Sequence, residues 1–186
     1  MAQLTSFTFL TLNGFYKGPG NDISWHQHGG EEAQFSVDSL KGHNTLIFGR
    51  KTYQLMASFW PTPMAAQAFP EVADGMNKAS KIVFSKTLKK VNWENTRILR
   101  GNLVNAVKKL KSTSTSDLTI LGSGQLVTQL AAARLIDKFI IMIDPVALGK
   151  GTPLFQGIYK KLDLKLTSTQ TFKSGILLLT YQPTAQ

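Results

Sequence analysis

The stretch LTILGSGQLVTQLAAA, residues 118–133, decides the fold of this chain. Residues 118–121 are mostly apolar and follow a polar Ser/Thr run, so they predict a short buried strand. The turn Gly122-Ser123-Gly124 then lets the backbone bend tightly and approach whatever lies above it. From residue 125 onward apolar residues recur at helical spacing, which predicts a helix directly after the turn.

A strand that runs through a glycine turn into a helix has a specific chemical consequence. The first N–H groups of the helix have no partner within the helix, and the positive end of the helix dipole lies at the same point. Such an arrangement is a ready site for phosphate. A glycine turn can equally be a plain connection that binds nothing, so both interpretations stay open for residues 122–124.

A second stretch repeats this design. A predicted strand at residues 45–48 ends at Gly49, and Arg50, Lys51 and Thr52 begin a helix whose apolar residues again lie at helical spacing. Cations stabilise the C-terminus of a helix and oppose the dipole at its N-terminus, so two of them at a helix start are unfavourable by themselves. An anionic ligand would explain their position, and a solvated basic turn is the alternative.

The composition is that of a folded protein of moderate size. The 186 residues are 42% hydrophobic and 17% charged, unlike a disordered chain, and we expect a single domain over residues 1–186. There is no cysteine, which excludes disulfides, thiolate zinc sites and cysteine nucleophiles. A strand pattern close to Met1 leaves no room for a targeting segment, and the strongest apolar runs are too short to span a bilayer. We therefore expect a cytoplasmic protein without a membrane partner.

The formal net charge of +10 suits a polyanionic ligand, but it is also commonly a solubilising surface. Nucleic-acid binding is disfavoured because the lysines are spread along the chain and form neither a dense block nor a basic arm with interleaved aromatic residues. We therefore expect no nucleic-acid partner.

The order of the predicted elements indicates an α/β fold. Strands alternate with helices for most of the length, which favours a largely parallel sheet. Two strands at residues 164–172 and 176–181, separated by a short glycine turn, predict a terminal antiparallel hairpin. Further strands are predicted at 6–12, 81–85, 97–99 and 138–143, and helices at 31–40 and 103–110, the latter capped by Asn102. The long glycine-rich stretch 13–30 is typical of a functional loop.

With these residues in view, the chain resembles the dihydrofolate reductase superfamily, and within it the proteins similar to the reductase domain of bacterial riboflavin biosynthesis. The resemblance spans nearly the whole chain. It rests on TLNG at 11–14, FGRKTY at 48–53, FWP at 59–61, KIVFSKTL at 81–88, VNWENT at 91–96, ILGSGQLV at 120–127, LIDKFIIMIDPVALGKGTPLF at 135–155 and the final hairpin.

The resemblance implies a three-layer fold with a central, mostly parallel eight-stranded sheet, and NADPH across the ends of its strands. The two glycine turns would hold the phosphates of the cofactor between them. A 2′-phosphate favours cations and hydroxyl groups, which suits NADPH better than NADH. Carried over by position, the cofactor-binding residues would be Leu12 and Asn13 at the nicotinamide, Gly49, Arg50, Lys51 and Thr52 at the phosphates, Ser85 and Lys86 at the adenine ribose and its 2′-phosphate, and Gly122, Ser123, Gly124, Gln125 and Leu126 at the pyrophosphate.

The substrate end is less clearly specified. Asp144 would lie where substrate meets cofactor and is the candidate catalytic residue, and Trp25, His26, Glu31 and Phe35 are the candidate pocket residues. True dihydrofolate reductases place a buried carboxylate on the first helix to hold the pterin. Here Glu31, Glu32 and Asp38 lie on that helix, none clearly in register, and acidic residues in a first turn are usually dipole partners.

Other chemistry is excluded or disfavoured. A basic set to grip a ribose phosphate cannot be identified in the 13–43 region, and the zinc-binding His/Cys pattern of the deaminase is absent. The spacing of His26, His28 and His43 does not match a metal site, so we expect no metal.

Three functional hypotheses follow. The first is an NADPH-dependent reductase that transfers hydride to a C=N or C=O carbon of a small heterocyclic or pyrimidine-ribityl-type molecule, resembling 5-amino-6-(5-phosphoribosylamino)uracil reductase, with water or Asp144 as proton source. The second is dihydrofolate reduction. The third is a non-catalytic protein that binds nucleotides or nucleic acid on the same fold. A homodimer is plausible by resemblance.

Overall fold

The structure is a computed structural model that describes residues 1–26, 29–42 and 44–184. Helices flank both faces of an eight-stranded sheet, and a two-stranded ribbon lies beside it. These described residues contain ten strands, which are β1 (Leu4–Thr11), β2 (Phe15–Lys17), β3 (Thr45–Gly49), β4 (Lys81–Phe84), β5 (Thr96–Leu99), β6 (Leu118–Leu121), β7 (Lys138–Asp144), β8 (Thr152–Pro153), β9 (Leu164–Thr171) and β10 (Leu177–Pro183).

In the part of the chain that the structure describes, six α-helices and one short 3₁₀ helix (Pro19–Asn21) connect these strands. The α-helices are α1 (Gly30–Lys41), α2 (Arg50–Phe59), α3 (Pro63–Ala68), α4 (Pro70–Lys78), α5 (Leu103–Thr113) and α6 (Gly124–Ala132). Asn102 caps α5 as predicted, because its side chain accepts a hydrogen bond from the Asn105 N–H at 3.0 Å. None of the helices in the described ranges is long and apolar enough to cross a membrane.

The strand order of the large sheet is β5-β4-β3-β6-β1-β7-β10-β9. The first six are mutually parallel, whereas β10 pairs antiparallel with both β7 and β9. The predicted α/β class, the mostly parallel eight-stranded sheet and its antiparallel C-terminal hairpin are therefore confirmed. The first strand of the chain lies in the middle of the sheet, between β6 and β7.

Successive side chains of a strand point to opposite faces of the sheet, and this alternation produces two apolar cores, one on each face. In β3, Ile47 faces a cluster with α5 and α6, whereas Leu46 and Phe48 face a cluster with α2 and α4. A third cluster, around Met142 and Ile176, packs against α1 near the terminal hairpin. Each face of the sheet is therefore covered by apolar helix surface.

Two parts of the chain differ from what the sequence pattern indicates. Over residues 64–79 the pattern indicates a mixed segment with a short helix ending near Asn77, whereas the structure has two helices, α3 and α4. Each begins with a proline, which suits the first helical position because the N–H there has no partner within the helix and φ is already fixed. The loop predicted at 13–30 contains the strand β2, which pairs with β8. Three residues are too few for the period-2 pattern to be recognised in sequence.

Because β1, β3, β4, β6 and β7 are parallel, their carboxyl ends lie at one edge of the sheet. In open α/β sheets this edge is where ligands bind. The two glycine turns follow β3 and β6, and Asp144 is the last residue of β7. The topology thus brings most of the predicted site residues to the same edge.

Candidate functional site

A groove of about 1950 Å³ passes the glycine turns of α2 and α6 and extends to the first turn of α1. Its two ends differ in chemistry. The part we call the basic end is lined by Gly49, Arg50, Lys51, Thr52, Ser85, Lys86 and residues 122–126. The part we call the acidic end contains His26 and Glu32 on its wall, with Asp144 behind His26.

The two glycine turns at the basic end are joined directly. Ser123 precedes α6 in a left-handed conformation (φ 54°, ψ 53°), and its Oγ accepts a hydrogen bond from the Gly49 N–H at 2.9 Å. Gly122 also has a positive φ of 55°, and a Cβ there would meet only the Thr52 methyl group at 3.6 Å. The start of α2 and the start of α6 are therefore held side by side.

Both helices begin without any group that satisfies their N-terminus. Neither α2 nor α6 has a side-chain cap or an acidic residue in its first turn. Every other α-helix in the described ranges has one or the other: Glu31 and Glu32 in α1, Thr62 at α3, Glu71 in α4 and Asn102 at α5. Two adjacent helix starts thus present unpaired N–H groups and positive dipole ends, which favour an anion.

Cations surround these helix starts. Arg50 donates a hydrogen bond along its own helix to Gln54 Oε1 at 3.2 Å. Among the described residues, no carboxylate forms an ion pair with Arg50, Lys51 or Lys86. Ser85 Oγ accepts hydrogen bonds from the N–H groups of Thr87 and Leu88, at 3.2 and 2.9 Å, and so shapes the turn that carries Lys86. Positive charge at the basic end is therefore not neutralised by the described part of the chain.

The acidic end is organised around a buried pair. His26 Nδ1 lies 3.0 and 2.9 Å from the two carboxylate oxygens of Asp144, and the two residues are only 5% and 2% exposed. The His26 ring also stacks on Phe9, with ring centroids 3.7 Å apart and 14° between the planes. Because an ionised carboxylate only accepts, Nδ1 carries the hydrogen of this bond. The pair thus fixes both the tautomer and the ring orientation of His26.

A second buried carboxylate, Glu32, lies in the first turn of α1 and is 6% exposed. It accepts a hydrogen bond from the hydroxyl of Ser174, in the turn of the terminal hairpin. Glu31, which the sequence placed in the pocket, instead points outward and forms an ion pair with Lys173 at 3.2 Å. The groove carboxylate of α1 is therefore residue 32, because the helix begins at Gly30 and turns this position toward the sheet.

Three further predicted positions lie near the site without lining the groove. Asp144 is shielded by His26, so it acts on the groove only through that imidazole. Leu12 is 69% exposed, with its N–H bonded to the Val146 carbonyl at 2.8 Å. The Asn13 amide is occupied by the backbone of Leu148, with bonds of 2.8 and 3.2 Å. These two residues therefore hold the segment after β7 rather than face the groove.

The two predicted aromatic pocket residues also lie behind the groove wall. Trp25 packs edge-on against His26, with ring centroids 6.3 Å apart, and its buried Nε1 has no hydrogen-bond partner in the described structure. Phe35 packs edge-on against Phe7, at 5.6 Å, within the cluster beneath α1. Both residues support the acidic end from outside the groove surface.

The groove also contains residues that the sequence did not single out. Tyr16 and Lys17 of β2 line its basic end, and Phe9 lines its acidic end. The sequence FYK after Asn13-Gly14 is the only local pattern that indicates a strand here. The direction of the Tyr16 and Lys17 side chains depends on the pairing of this strand with β8, which the local pattern does not show. Of the three histidines, His28 and His43 lie outside the described residues; the remainder of the chain contains no group of His, Asp and Glu that could hold a metal.

Comparison with known proteins agrees with this geometry. Residues 2–178 match the model of the RibD C-terminal domain family. The chain is 28% identical to the Bacillus subtilis protein YyaP over 172 residues, which are 92% of this chain and 90% of that protein. Among solved structures, a deaminase/5-amino-6-(5-phosphoribosylamino)uracil reductase from Thermotoga maritima superposes with a TM-score of 0.73 at 14% identity, over 98% of this chain and 57% of that one.

A dihydrofolate reductase from Enterococcus faecalis, solved with NADP(H), superposes with a TM-score of 0.66 at 17% identity, over 98% of this chain and 97% of that one. At these identities the structural matches establish the fold alone, which is similar to that of dihydrofolate reductase. The family model covers nearly the whole sequence. The chain therefore belongs to the RibD C-terminal domain family.

Proposed function

We propose that the protein is an NADPH-dependent reductase that acts on a small heterocyclic or pyrimidine-ribityl-type substrate in this groove. One observation carries the proposal. Two helix starts that lack both caps and acidic residues are held together by the 2.9 Å bond from the Gly49 N–H to Ser123 Oγ, among cations without ion-pair partners in the described chain. Membership of the RibD C-terminal domain family supports the same conclusion.

The residues at the basic end fit a dinucleotide phosphate in charge and in hydrogen-bonding type. Backbone N–H groups of residues 123–125 are suited to the pyrophosphate, because they are donors fixed at the positive end of α6. The N–H of Gly122 donates to the Phe7 carbonyl of β1 at 3.0 Å and so fixes the turn beside them. Lys51 adds charge beside them, whereas Arg50 and Lys86 with Ser85 are suited to the 2′-phosphate that NADH lacks. Leu126, which is buried behind the turn, fixes the first turn of α6 against the sheet.

The acidic end supplies the proton of the proposed reaction. A bound nicotinamide cofactor supplies hydride to the C=N or C=O carbon of the substrate. His26 lies on the groove wall and holds one proton on Nδ1 toward Asp144. When the imidazole is doubly protonated, the proton on Nε2 can pass to the substrate nitrogen or oxygen, and Asp144 stabilises the imidazolium before transfer. Hydride and proton together balance a two-electron reduction.

Titration with NADPH and, separately, NADH tests the cofactor assignment, with tryptophan fluorescence as the readout. We expect NADPH to bind much more tightly than NADH. Arg50→Ala should weaken NADPH by about tenfold or more, the effect of losing one charge-assisted contact, and should weaken NADH less. Absence of binding of either dinucleotide by the wild-type protein would overturn the proposal, and equal losses for both would overturn the role of Arg50.

The substrate is tested by following oxidation of bound NADPH in the presence of candidate pyrimidines. The ribitylamino and ribosylamino forms should be compared with and without their phosphate. Turnover that disappears in His26→Gln while NADPH affinity is retained would support His26 as the proton donor. Turnover that is unchanged in this variant would assign the proton to water.

Glu32 favours a second candidate, reduction of dihydrofolate. It is a buried carboxylate on the first helix and lines the groove, and in the dihydrofolate reductases that the chain resembles such a group holds the pterin. Dihydrofolate turnover by the wild-type protein, lost in Glu32→Gln and retained in the outward-facing control Glu31→Gln, would establish this activity. If the wild-type protein with bound NADPH does not turn over dihydrofolate, this candidate is excluded.

A further inference from the structure

The strand β2 lies across the groove from α2, at the start of α6. It is fixed there by its pairing with β8, with Phe15 opposite Pro153 and Lys17 opposite Thr152. Gly151 packs so closely beneath it that a Cβ would lie 2.6 Å from Phe15 Cγ and 2.8 Å from the Lys17 carbonyl oxygen. The segment is therefore a packed wall and not a free loop.

Tyr16 places its ring directly on Gly124, the first residue of α6. A Cβ at position 124 would lie 2.6 Å from both Cε1 and Cζ of Tyr16, and 3.0 Å from its hydroxyl oxygen. Gly124 has no positive φ, so the contact with this ring, rather than backbone conformation, requires a glycine there. The phenol thus reaches the same helix start that presents the unpaired N–H groups.

The Tyr16 hydroxyl is suited to donate at this point. Partial burial raises its pKa, so the phenol stays neutral and keeps its proton at physiological pH. A neutral hydroxyl at a helix N-terminus can add one donor to the backbone N–H groups.

Lys17 adds a fourth cation to the basic end, beside Arg50, Lys51 and Lys86. Its ammonium group lies 5.4 Å from the centroid of the Tyr16 ring and donates to Asn21 Oδ1 at 2.7 Å. Burial lowers the pKa of Lys17, and the positive charge of Lys51 lowers it further. The ammonium groups of Lys17 and Lys51 therefore repel each other across the basic end, and an anion bound between them would offset this repulsion.

We propose that Tyr16 and Lys17 are binding contacts for the diphosphate of a bound dinucleotide, held between β2 on one side and the starts of α2 and α6 on the other. This inference rests on the proposed function, because it assigns residues to the same phosphate site. Lys86 is assigned to the 2′-phosphate, which only NADPH carries. Lys17 is assigned to the diphosphate, which NADPH and NADH share.

The test compares affinities for NADPH and NADH in Lys17→Met and Tyr16→Phe. Lys17→Met should weaken both dinucleotides by the same factor, about tenfold, as expected for one charge-assisted contact. Tyr16→Phe retains the ring on Gly124 and removes only the hydroxyl, so it should weaken both by a smaller common factor. Lys165→Met, on the exposed edge strand β9, changes the net charge equally and is the matched control.

The outcomes separate this inference from the proposed function. If the wild-type protein binds neither dinucleotide, the proposed function fails and the inference fails with it. If it binds NADPH but Lys17→Met and Tyr16→Phe both behave like Lys165→Met, only the inference is overturned. A Lys17→Met effect confined to NADPH would place Lys17 at the 2′-phosphate and contradict the diphosphate assignment. Thermal unfolding of each variant verifies that the fold is retained.

Discussion

The two ends of the groove are built in opposite ways. The basic end consists of short continuous segments, in which a strand, a glycine turn and a helix start follow one another within a few residues. Its cations reach into the groove on flexible side chains. The acidic end joins residues that are distant in sequence: His26 pairs with Asp144, 118 positions away, and Glu32 with Ser174, 142 positions away.

Because of this difference, we expect substitutions at the basic end to affect ligand affinity and substitutions at the acidic end to affect the stability of the fold. Groups at the basic end are available to a ligand because the described protein does not satisfy them, so removing one should cost affinity and little stability. Groups at the acidic end satisfy each other within a buried environment, where an unpaired charge is costly. Removing one of them should therefore lower the free energy of unfolding. Three substitutions test this contrast, in decreasing order of their expected effect on stability.

Asp144→Ala should have the largest effect. It removes the carboxylate that accepts from Nδ1 of the buried His26 imidazole, and removing one partner of a buried pair with a charged member costs about 3–5 kcal/mol. Urea unfolding measures this change. Asp22→Ala is the matched control, because that carboxylate is exposed and its hydrogen bond with the Ser24 N–H is local; it should change stability by less than about 1 kcal/mol. Equal effects of the two substitutions would contradict the contrast.

Gly124→Ala should have an intermediate effect, because the new methyl group overlaps the Tyr16 ring at 2.6 Å. Overpacking of this kind costs about 1–3 kcal/mol. The penalty should be much smaller when Tyr16→Ala is introduced first, so a double-mutant cycle on the free energy of unfolding should show strong coupling. Additive effects would mean that Tyr16 moves aside freely and does not form a fixed wall.

Lys86→Ala should have the smallest effect on stability, within about 0.5 kcal/mol, because this side chain is exposed and has no ion-pair partner in the described chain. It should nevertheless weaken NADPH more than NADH. Paired titrations and thermal unfolding measure the two properties on one sample. A variant that loses stability without losing NADPH affinity would show that Lys86 supports the fold.

The same contrast explains what the sequence could and could not predict. Residues 118–133 and 45–59 carry their structure locally, so the strands, turns and helices there were predicted correctly and lie at one edge of the sheet. Glu32 and Glu31 are adjacent acidic residues, and only the exact start of α1 decides which of them is buried. The partner of His26 cannot be found by spacing, because Asp144 lies 118 positions later and the pair forms only where the segment after β2 folds back over β1, with His26 stacked on Phe9.

Tyr16 and Lys17 were missed for a related reason. Their strand has three residues, and it is defined by pairing with a two-residue strand more than 130 positions later. The sequence assigned Gly124 to phosphate approach, whereas the structure adds a neighbouring ring as the reason for its missing side chain. The apolar periodicity of the sequence therefore does not reveal contacts between short segments that are distant along the chain.

The central position of β1 has a consequence for the order in which the chain can fold during synthesis. This strand leaves the ribosome before its neighbours β6 and β7, which begin only at Leu118 and Lys138. At about 5–20 residues per second, several seconds pass before either neighbour exists. Insertion of β6 between β3 and β1 then joins the early and late segments. Because Ser123 follows β6, the same event brings the two glycine turns together, so the groove is completed only by the last third of the chain.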